Sequence, residues 1–83
     1  MQIYMQITPM DDRPPRFYHL ILQQDLLGGW TLVREWGYQG YAGRVRREHH
    51  DTLEAAQAAL IRVRDAQLRR GYRVVFARGE QPA

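Results

Sequence analysis

The chain has 83 residues, of which 45% are hydrophobic and 25% charged, a composition that excludes disordered and fibrous classes. No apolar run approaches the roughly 20 residues that span a bilayer, and the polar N-terminus, MQIYMQITP, lacks the pattern of a secretory signal. The absence of Cys excludes disulfides and thiolate metal sites, and it fits a reducing compartment. We therefore expect one small domain in the cytoplasm, with no membrane segment.

The positive charge is unevenly distributed along the sequence. The net charge is +3, and all 12 basic residues are Arg, whose planar donors match phosphate well, although a general bias toward Arg also explains this composition. Residues 1–30 contain two Arg against three Asp, whereas residues 31–50 contain four Arg against two Glu. The positive excess therefore begins in the middle of the chain.

Alternating apolar and polar residues predict a strand over residues 2–8 and a second over residues 16–24. The Asp- and Pro-rich segment between them predicts a stiff loop, and the Gly-Gly pair within residues 25–29 predicts a hairpin. In the first strand, Ile3, Met5 and Ile7 are expected on one side and Gln2, Tyr4 and Gln6 on the other. In the second strand, the side chains of Phe17, His19 and Ile21 are expected opposite those of Tyr18, Leu20 and Leu22.

The stretch 30–47, WTLVREWGYQGYAGRVRR, predicts two strands joined by a glycine-punctuated aromatic turn. On the first strand, Trp30, Leu32, Arg34 and Trp36 share one face, and we expect Trp30 to be core. The second strand is predicted over residues 44–48. An aromatic turn followed at once by three Arg is unusual for a mere connector, so the stretch predicts a binding surface.

Residues 51–54, DTLE, predict the start of a helix, with Asp51 as the N-cap and Glu54 reaching back to it. The helix is expected to span residues 52–70 and to end at Gly71. The residues expected to face the core are spaced three and four apart: Ala56, Ala59, Leu60, Val63 and Ala66.

A closing strand is predicted in which Tyr72, Val74 and Phe76 alternate, followed by a flexible tail over residues 78–83. The predicted fold class is α+β: a small antiparallel sheet of about five strands, covered on one face by a single long helix. One domain is expected over residues 1–83, with its core within about residues 2–77.

The pair Trp36-Gly37, preceded by GGWTLVRE and followed by GYAGRVRRE, resembles the WGR domain family. The resemblance extends to the lead strand, to the FYHLILQQD strand and to the helix ending RRGY. Members of this family occur as DNA-contacting modules in poly(ADP-ribose) polymerases and as short stand-alone bacterial proteins, and we expect the chain to be one of the latter. The family motif is Trp-Gly-Arg, whereas Tyr38 stands at its third position here.

The resemblance implies roles for individual residues. Trp36 is expected to pack against the sugar of the terminal nucleotide at a DNA break, and Gly37 to allow a close backbone approach. The motif Arg, which links DNA to neighbouring domains in the polymerases, has no counterpart at position 38. The residues expected to bind nucleic acid are Trp36, Gly37, Tyr38, Gly40, Tyr41, Arg44 and Arg46.

Each of these residues also has a plainer interpretation. Without the resemblance Trp36 is expected to be core, whereas with it we expect partial exposure at the end of its strand. Tyr38 and Tyr41 are either lids or a stacking platform. Arg44 and Arg46 share a strand face that Arg47 does not, and such a run is usually a solvated face.

The sequence offers little for catalysis or for metal binding. It has no Ser, no nucleophile with a base at recognisable spacing, and no Lys and helix after the glycines to form a phosphate loop. His49-His50-Asp51 is a weak metal motif because adjacent strand residues diverge and no second ligand pair supports them. We therefore expect no enzyme, no metal, no cofactor and no small-molecule substrate.

Two classes of function remain. The first is a nucleic-acid-binding module with little sequence preference, for DNA rather than RNA and for DNA ends or breaks. The second is a protein-interaction or homodimerisation module that uses the same aromatic hairpin. The Arg-only basicity and the resemblance favour the first, whereas the missing motif Arg and the modest charge favour the second.

Overall fold

The computed structural model describes residues 1–79. Its elements in chain order are β1 (Gln2–Ile7), β2 (Arg16–Gln24), β3 (Trp30–Tyr38), β4 (Arg44–His50), α1 (Leu53–Arg69) and β5 (Arg73–Arg78). The strands form one antiparallel sheet in the order β4-β3-β2-β1-β5. The predicted α+β class with five strands and one helix is confirmed, and β4 runs two residues further than predicted.

The helix α1 packs on one face of the sheet, against β2, β3 and β4, and we call this the covered face. Cross-strand pairing places Ile3 opposite Leu20 and Met5 opposite Tyr18, which brings one alternating set from each strand onto the covered face. The buried residues of the core are Ile3, Met5, Tyr18, Leu20, Leu22, Leu32, Ala56, Ala59, Leu60 and Tyr72. Within residues 1–79, no helix is long and apolar enough to cross a membrane.

The helix begins one residue later than predicted, and its N-cap is Thr52 rather than Asp51. Thr52 has an extended backbone, and its hydroxyl accepts a hydrogen bond from the backbone N–H of Ala55 at 3.1 Å. The Asp51 carboxylate instead lies 3.0 Å from Nε2 of His49. The prediction was wrong at this position because both residue types can cap a helix, and the contact with His49 engages Asp51.

The last residue of the helix is Arg69, one residue before the predicted end, and the chain turns out of the helix at Gly71, as predicted. The N–H of Gly71 donates to the carbonyl of Leu68, and the N–H of Tyr72 donates to the carbonyl of Gln67, both at 3.0 Å. Gly71 has φ +103°, which residues with a Cβ rarely adopt. This C-terminal turn returns Tyr72 to the core.

Burial along the helix differs from the prediction near its C-terminus. Ala56, Ala59 and Leu60 are buried, but Val63 and Ala66 are only partly buried, and Gln67 is buried instead. Gln67 lies seven residues after Leu60 and so belongs to the same helical face. Because the predicted face was built from apolar residues only, it did not include this polar residue.

Trp30 was also predicted to be core, but it is only partly buried. It is the first residue of β3 and pairs with Gln24 and His50, which end their own strands. A position at the end of the sheet has neighbours on one side only, and this leaves part of the indole exposed.

The strand β5 departs furthest from the prediction, because it contains a bulge. Its register shifts where it pairs with β1, so that Val74 is opposite Met5 while Phe76 is opposite Tyr4. Directly opposed side chains share a face, so Val74 lies on the covered face and Phe76 on the other, which we call the open face. The predicted alternation of Val74 and Phe76 on one side was wrong for this reason.

The flexible tail predicted from residue 78 begins too early. Arg78 is still in β5, paired with Gln2. The rest of the predicted tail beyond Gly79, residues 80–83, lies outside the described residues.

Candidate nucleic-acid interface

The turn between β3 and β4 brings two backbone segments into close contact. A Cβ atom on Gly43 would lie 2.7 Å from the carbonyl oxygen of Trp36, and one on Gly37 would lie 3.0 Å from Cα of Gly43. Neither position has room for a side chain without a backbone shift. The observed close approach at Gly37 is thus made to Gly43, within the hairpin itself, and it fixes the end of β3 that carries Trp36.

Trp36 belongs to a group of aromatic and Arg side chains on the covered face, the Trp36 cluster (Arg16, Tyr18, Arg34, Trp36 and Tyr72). The Trp36 and Tyr18 rings stack with centroids 5.6 Å apart and 11° between their planes. Tyr72 meets Tyr18 edge-on at 6.0 Å, and the Arg16 guanidinium lies 5.8 Å from the centre of the Tyr72 ring. Trp36 is partly buried, as the resemblance led us to expect, so its ring is held by packing without being enclosed.

Arg34 holds the stacked pair in place. Its Nε and Nη2 donate to the Tyr18 hydroxyl at 3.0 and 2.7 Å, and its Nη1 donates to Oε1 of Glu48 at 3.0 Å. The guanidinium carbon lies 5.9 Å from the ring centres of both Tyr18 and Trp36. Desolvation opposes both charges, yet the bonds to Tyr18 and Glu48 raise the pKa of Arg34, and the bond from Arg34 lowers the pKa of Glu48.

A groove of about 420 Å³ runs past Trp36 at the hairpin end of the covered face. It is lined by five of the predicted site residues together with residues of β2 and of the turn after α1. The lining residues are Arg16, Trp36, Gly37, Tyr38, Tyr41, Ala42, Arg44 and Tyr72. Arg44 is directly opposite Trp36 on the neighbouring strand, and neither Arg44 nor Arg16 has a carboxylate partner within residues 1–79.

An adjoining recess of about 260 Å³ lies between Trp36 and the C-terminal end of α1. Three Arg contribute to its lining: Arg16, Arg34 and Arg70. Arg16, Arg70 and Tyr72 were not predicted as site residues from the sequence. Strand parity was a signal for Arg16, which lies two residues before Tyr18, but Arg70 and Tyr72 reach the site through the turn that ends the helix.

Two of the predicted residues lie outside the Trp36 groove. Gly40 has φ +84° at the tip of the turn and lines a separate groove on the open face. Arg46 is on the covered face opposite Arg34, exposed, with its Nε 3.9 Å from Oε1 of Glu48. Tyr38 and Tyr41 line the groove and are 43% and 69% exposed, so neither is folded down as a closed lid.

His49, near the end of β4, contacts two Asp side chains of the same protein. Nδ1 of His49 lies 2.7 Å from Asp25, and its Nε2 lies 3.0 Å from Asp51; these hydrogen bonds raise the pKa of His49. Desolvation works against ionisation of Asp25, but the hydrogen bonds it accepts lower its pKa overall. Within residues 1–79, no group of three or more acidic or His side chains is arranged to hold a metal ion.

The comparison with protein families identifies the family of the chain. The model of the WGR domain matches residues 1–78. The chain belongs to the WGR family. WGR domains are in general nucleic-acid-binding modules rather than catalytic domains. Comparisons with curated proteins and with solved structures give no match.

Proposed function

We propose that this WGR domain binds the ends or breaks of double-stranded DNA with little sequence preference. Trp36 supplies the stacking surface, and Arg16 and Arg44 contact phosphates. The observation that carries the proposal is the Trp36 groove, whose lining combines a partly exposed ring with two Arg that have no carboxylate partner within residues 1–79.

The rigidity of Trp36 supports a stacking role. Its ring is stacked on Tyr18, and Arg34 bonds that Tyr to Glu48. A ring held before binding loses little conformational entropy when it stacks on a base or sugar. An aromatic–base stack contributes about 1–3 kcal/mol, and the sugar at a strand terminus is reachable only where the duplex is interrupted.

The lining of the groove supports weak sequence preference. Among residues 1–79, its lining contains aromatic rings, Arg and small residues, but no Asn, Gln, Asp or Glu. Amide and carboxylate side chains are the groups that read adenine and cytosine edges in a major groove. Guanidinium groups beside aromatic rings match phosphate and sugar instead, which every sequence presents.

Arg16 also supplies a cation next to the position where the family motif has Arg. It lies directly opposite Tyr38 on the neighbouring strand β2, and both residues line the Trp36 groove. The guanidinium of Arg16 thus lies beside position 38, although Tyr38 replaces the motif Arg itself. In this proposal Arg16 makes a phosphate contact there, without the link to neighbouring domains that the motif Arg makes in the polymerases.

A salt titration of binding to a blunt duplex tests the proposal. Each neutralised phosphate contributes a slope of about −0.9 to the log–log dependence of affinity on salt. Replacing Arg16 and Arg44 together by Gln should weaken binding and flatten the slope by about 1.8 if each contacts one phosphate. Arg62→Gln, at an exposed helix position outside both grooves, is the matched control and should change little. Absence of binding at low salt, or binding independent of salt, would favour the alternative of a protein-interaction module.

A further inference from the structure

The open face of the sheet, opposite α1, carries a row of aromatic rings that the proposed function does not use. The Tyr4 ring lies between those of Phe17 and Phe76, with centroids 6.1 and 5.7 Å away and planes within 6° and 7° of parallel. His19 meets Tyr4 edge-on at 5.4 Å and Phe76 at 6.4 Å. We call these four side chains the open-face rings.

The bulge in β5 completes this row, because it places Phe76 opposite Tyr4. Phe76 is 44% exposed, and Tyr4, Phe17 and His19 are partly exposed. Within residues 1–79 the single helix lies on the other face, so no described layer covers these rings. Aromatic side chains in such a position are available to a ligand.

Three Arg flank the open-face rings. Arg73 and Arg78 lie at the two ends of β5, opposite Gln6 and Gln2, and Arg47 lies on β4 opposite Val33. None of the three has a carboxylate partner within residues 1–79. Glu35 is the one acidic strand residue on this face in the same range. A second copy of this face would bring like charges together, whereas a polyanion complements them.

Parallel rings beside Arg suit unpaired nucleotides better than a duplex. Bases in a duplex are stacked on one another, whereas the bases of a single strand are free to stack on aromatic side chains while Arg contacts the backbone. Gln6, next to the rings, offers an amide group to base edges, whereas the amide oxygen of Gln2 lies 2.9 Å from Nε2 of His19.

The turn between β3 and β4 connects the open face to the Trp36 groove. Gln39 and Gly40 line a groove with Tyr4 and Phe17, and Nε2 of Gln39 donates to the Tyr4 hydroxyl at 2.7 Å. The next two residues of the turn, Tyr41 and Ala42, line the Trp36 groove. Phe17 is directly opposite Gly37, the residue after Trp36. A DNA strand that leaves Trp36 and crosses this turn therefore reaches the open-face rings.

We propose that the open-face rings bind the unpaired nucleotides of a single-stranded overhang on a DNA end. The placement of the duplex part on Trp36 rests on the proposed function, but single-strand binding by the open face does not depend on it. The preferred substrate is then an end with an overhang rather than a blunt end.

Fluorescence anisotropy with the full chain tests this proposal. The probes are a blunt duplex, the same duplex with an oligo-dT overhang of either polarity, and free oligo-dT of about 12 nucleotides, within the range of known single-strand sites. An overhang of one polarity should raise the affinity by roughly tenfold, as expected for about one stacked base. Phe76→Leu, which keeps an apolar side chain but removes the ring, should abolish this gain and leave blunt-end affinity unchanged. Phe76→Tyr, which keeps the ring, is the matched control and should retain the gain.

The melting temperature of each variant shows whether it is folded. A second variant tests the site in case Phe76→Leu does not fold. Arg73→Gln combined with Arg78→Gln leaves the rings in place and should weaken oligo-dT binding several-fold at low salt. Equal affinity for blunt and overhanging duplexes, or oligo-dT binding that both variants leave unchanged, would overturn the open-face site alone. Failure of the wild-type chain to bind any of these DNAs would overturn the proposed function as well, leaving a protein as the partner of this surface.

Discussion

At the scale of single residues, Trp36 is packed against the protein and still partly exposed to a ligand. Its ring stacks on Tyr18, and Arg34 fixes that Tyr through two hydrogen bonds, yet the indole stays partly exposed beside Arg44. A fully buried Trp has no access to a ligand, and a fully exposed one has no fixed orientation. The intermediate position suits a stacking surface that is ordered before DNA arrives.

Replacing Trp36 separates its binding role from its structural role. Trp36→Ala should weaken binding to a blunt duplex by about 1–3 kcal/mol, the value of one aromatic stack. Because the ring is only partly buried, the loss of stability should fall below the roughly 3–5 kcal/mol expected for a buried Trp. Trp36→Phe keeps an aromatic face and should retain most of the affinity. The measurement pairs the melting temperature of each variant with its affinity below that temperature.

The opposite outcome is distinct. A Trp36→Ala protein that binds normally whenever it is folded, or a Trp36→Phe protein as defective as Trp36→Ala, would make Trp36 a packing residue. The binding surface would then have to lie elsewhere on the protein.

The contacts of individual residues were less predictable than their faces. Strand parity predicted that Arg44 and Arg46 share a face and that Arg47 lies on the other, and the pairing of β3 with β4 agrees. The hydrogen bonds from Arg34 to Tyr18 join residues 16 apart in sequence, so no local sequence pattern predicts them. The choice of Thr52 over Asp51 as helix cap likewise depended on a side-chain contact, between Asp51 and His49, that the capping pattern does not contain.

At the scale of elements, the periodic segments were predicted well, but the bulged pairing of β5 with β1 was not. Helix α1 lies within one residue of its predicted bounds because apolar spacing and Gly71 are both local signals. The β5 bulge was missed because register is a property of two strands, and the apolar run from Val74 to Ala77 does not show where a bulge interrupts the pairing. The bulge places Phe76 on the open face. Because the bulge was not predicted, the open-face rings were not predicted either.

The helix is a structural cover, and its buried centre should be sensitive to truncation. Leu60 is 2% exposed and belongs to the core. Leu60→Ala should lower the free energy of unfolding by about 2–5 kcal/mol through lost burial and a cavity. Ile61→Ala, at the next position but 43% exposed, is the matched control and should change stability much less. Chemical denaturation that shows equal losses for the two variants would mean that the helix packs in a different orientation.

At the scale of the whole molecule, the chemistry for binding gathers around one end of the sheet. The β3–β4 turn lies between the Trp36 groove on the covered face and the groove beside Tyr4 and Phe17 on the open face. The opposite end of β4 is held by the contacts of His49 with Asp25 and Asp51, which place acidic groups there. The net charge of +3 therefore understates the positive character of the hairpin end.

The most direct test of the central claim is a competition between DNAs that differ only in their ends. A closed circular duplex, the same circle with one nick, and its linearised blunt form would each compete for the protein against a labelled blunt duplex. If Trp36 contacts a terminal sugar, the nicked and linear forms should compete clearly better than the closed circle at equal nucleotide concentration, and Trp36→Ala should remove the difference. Equal competition by all three forms would contradict end recognition and leave at most an electrostatic interaction with the DNA backbone.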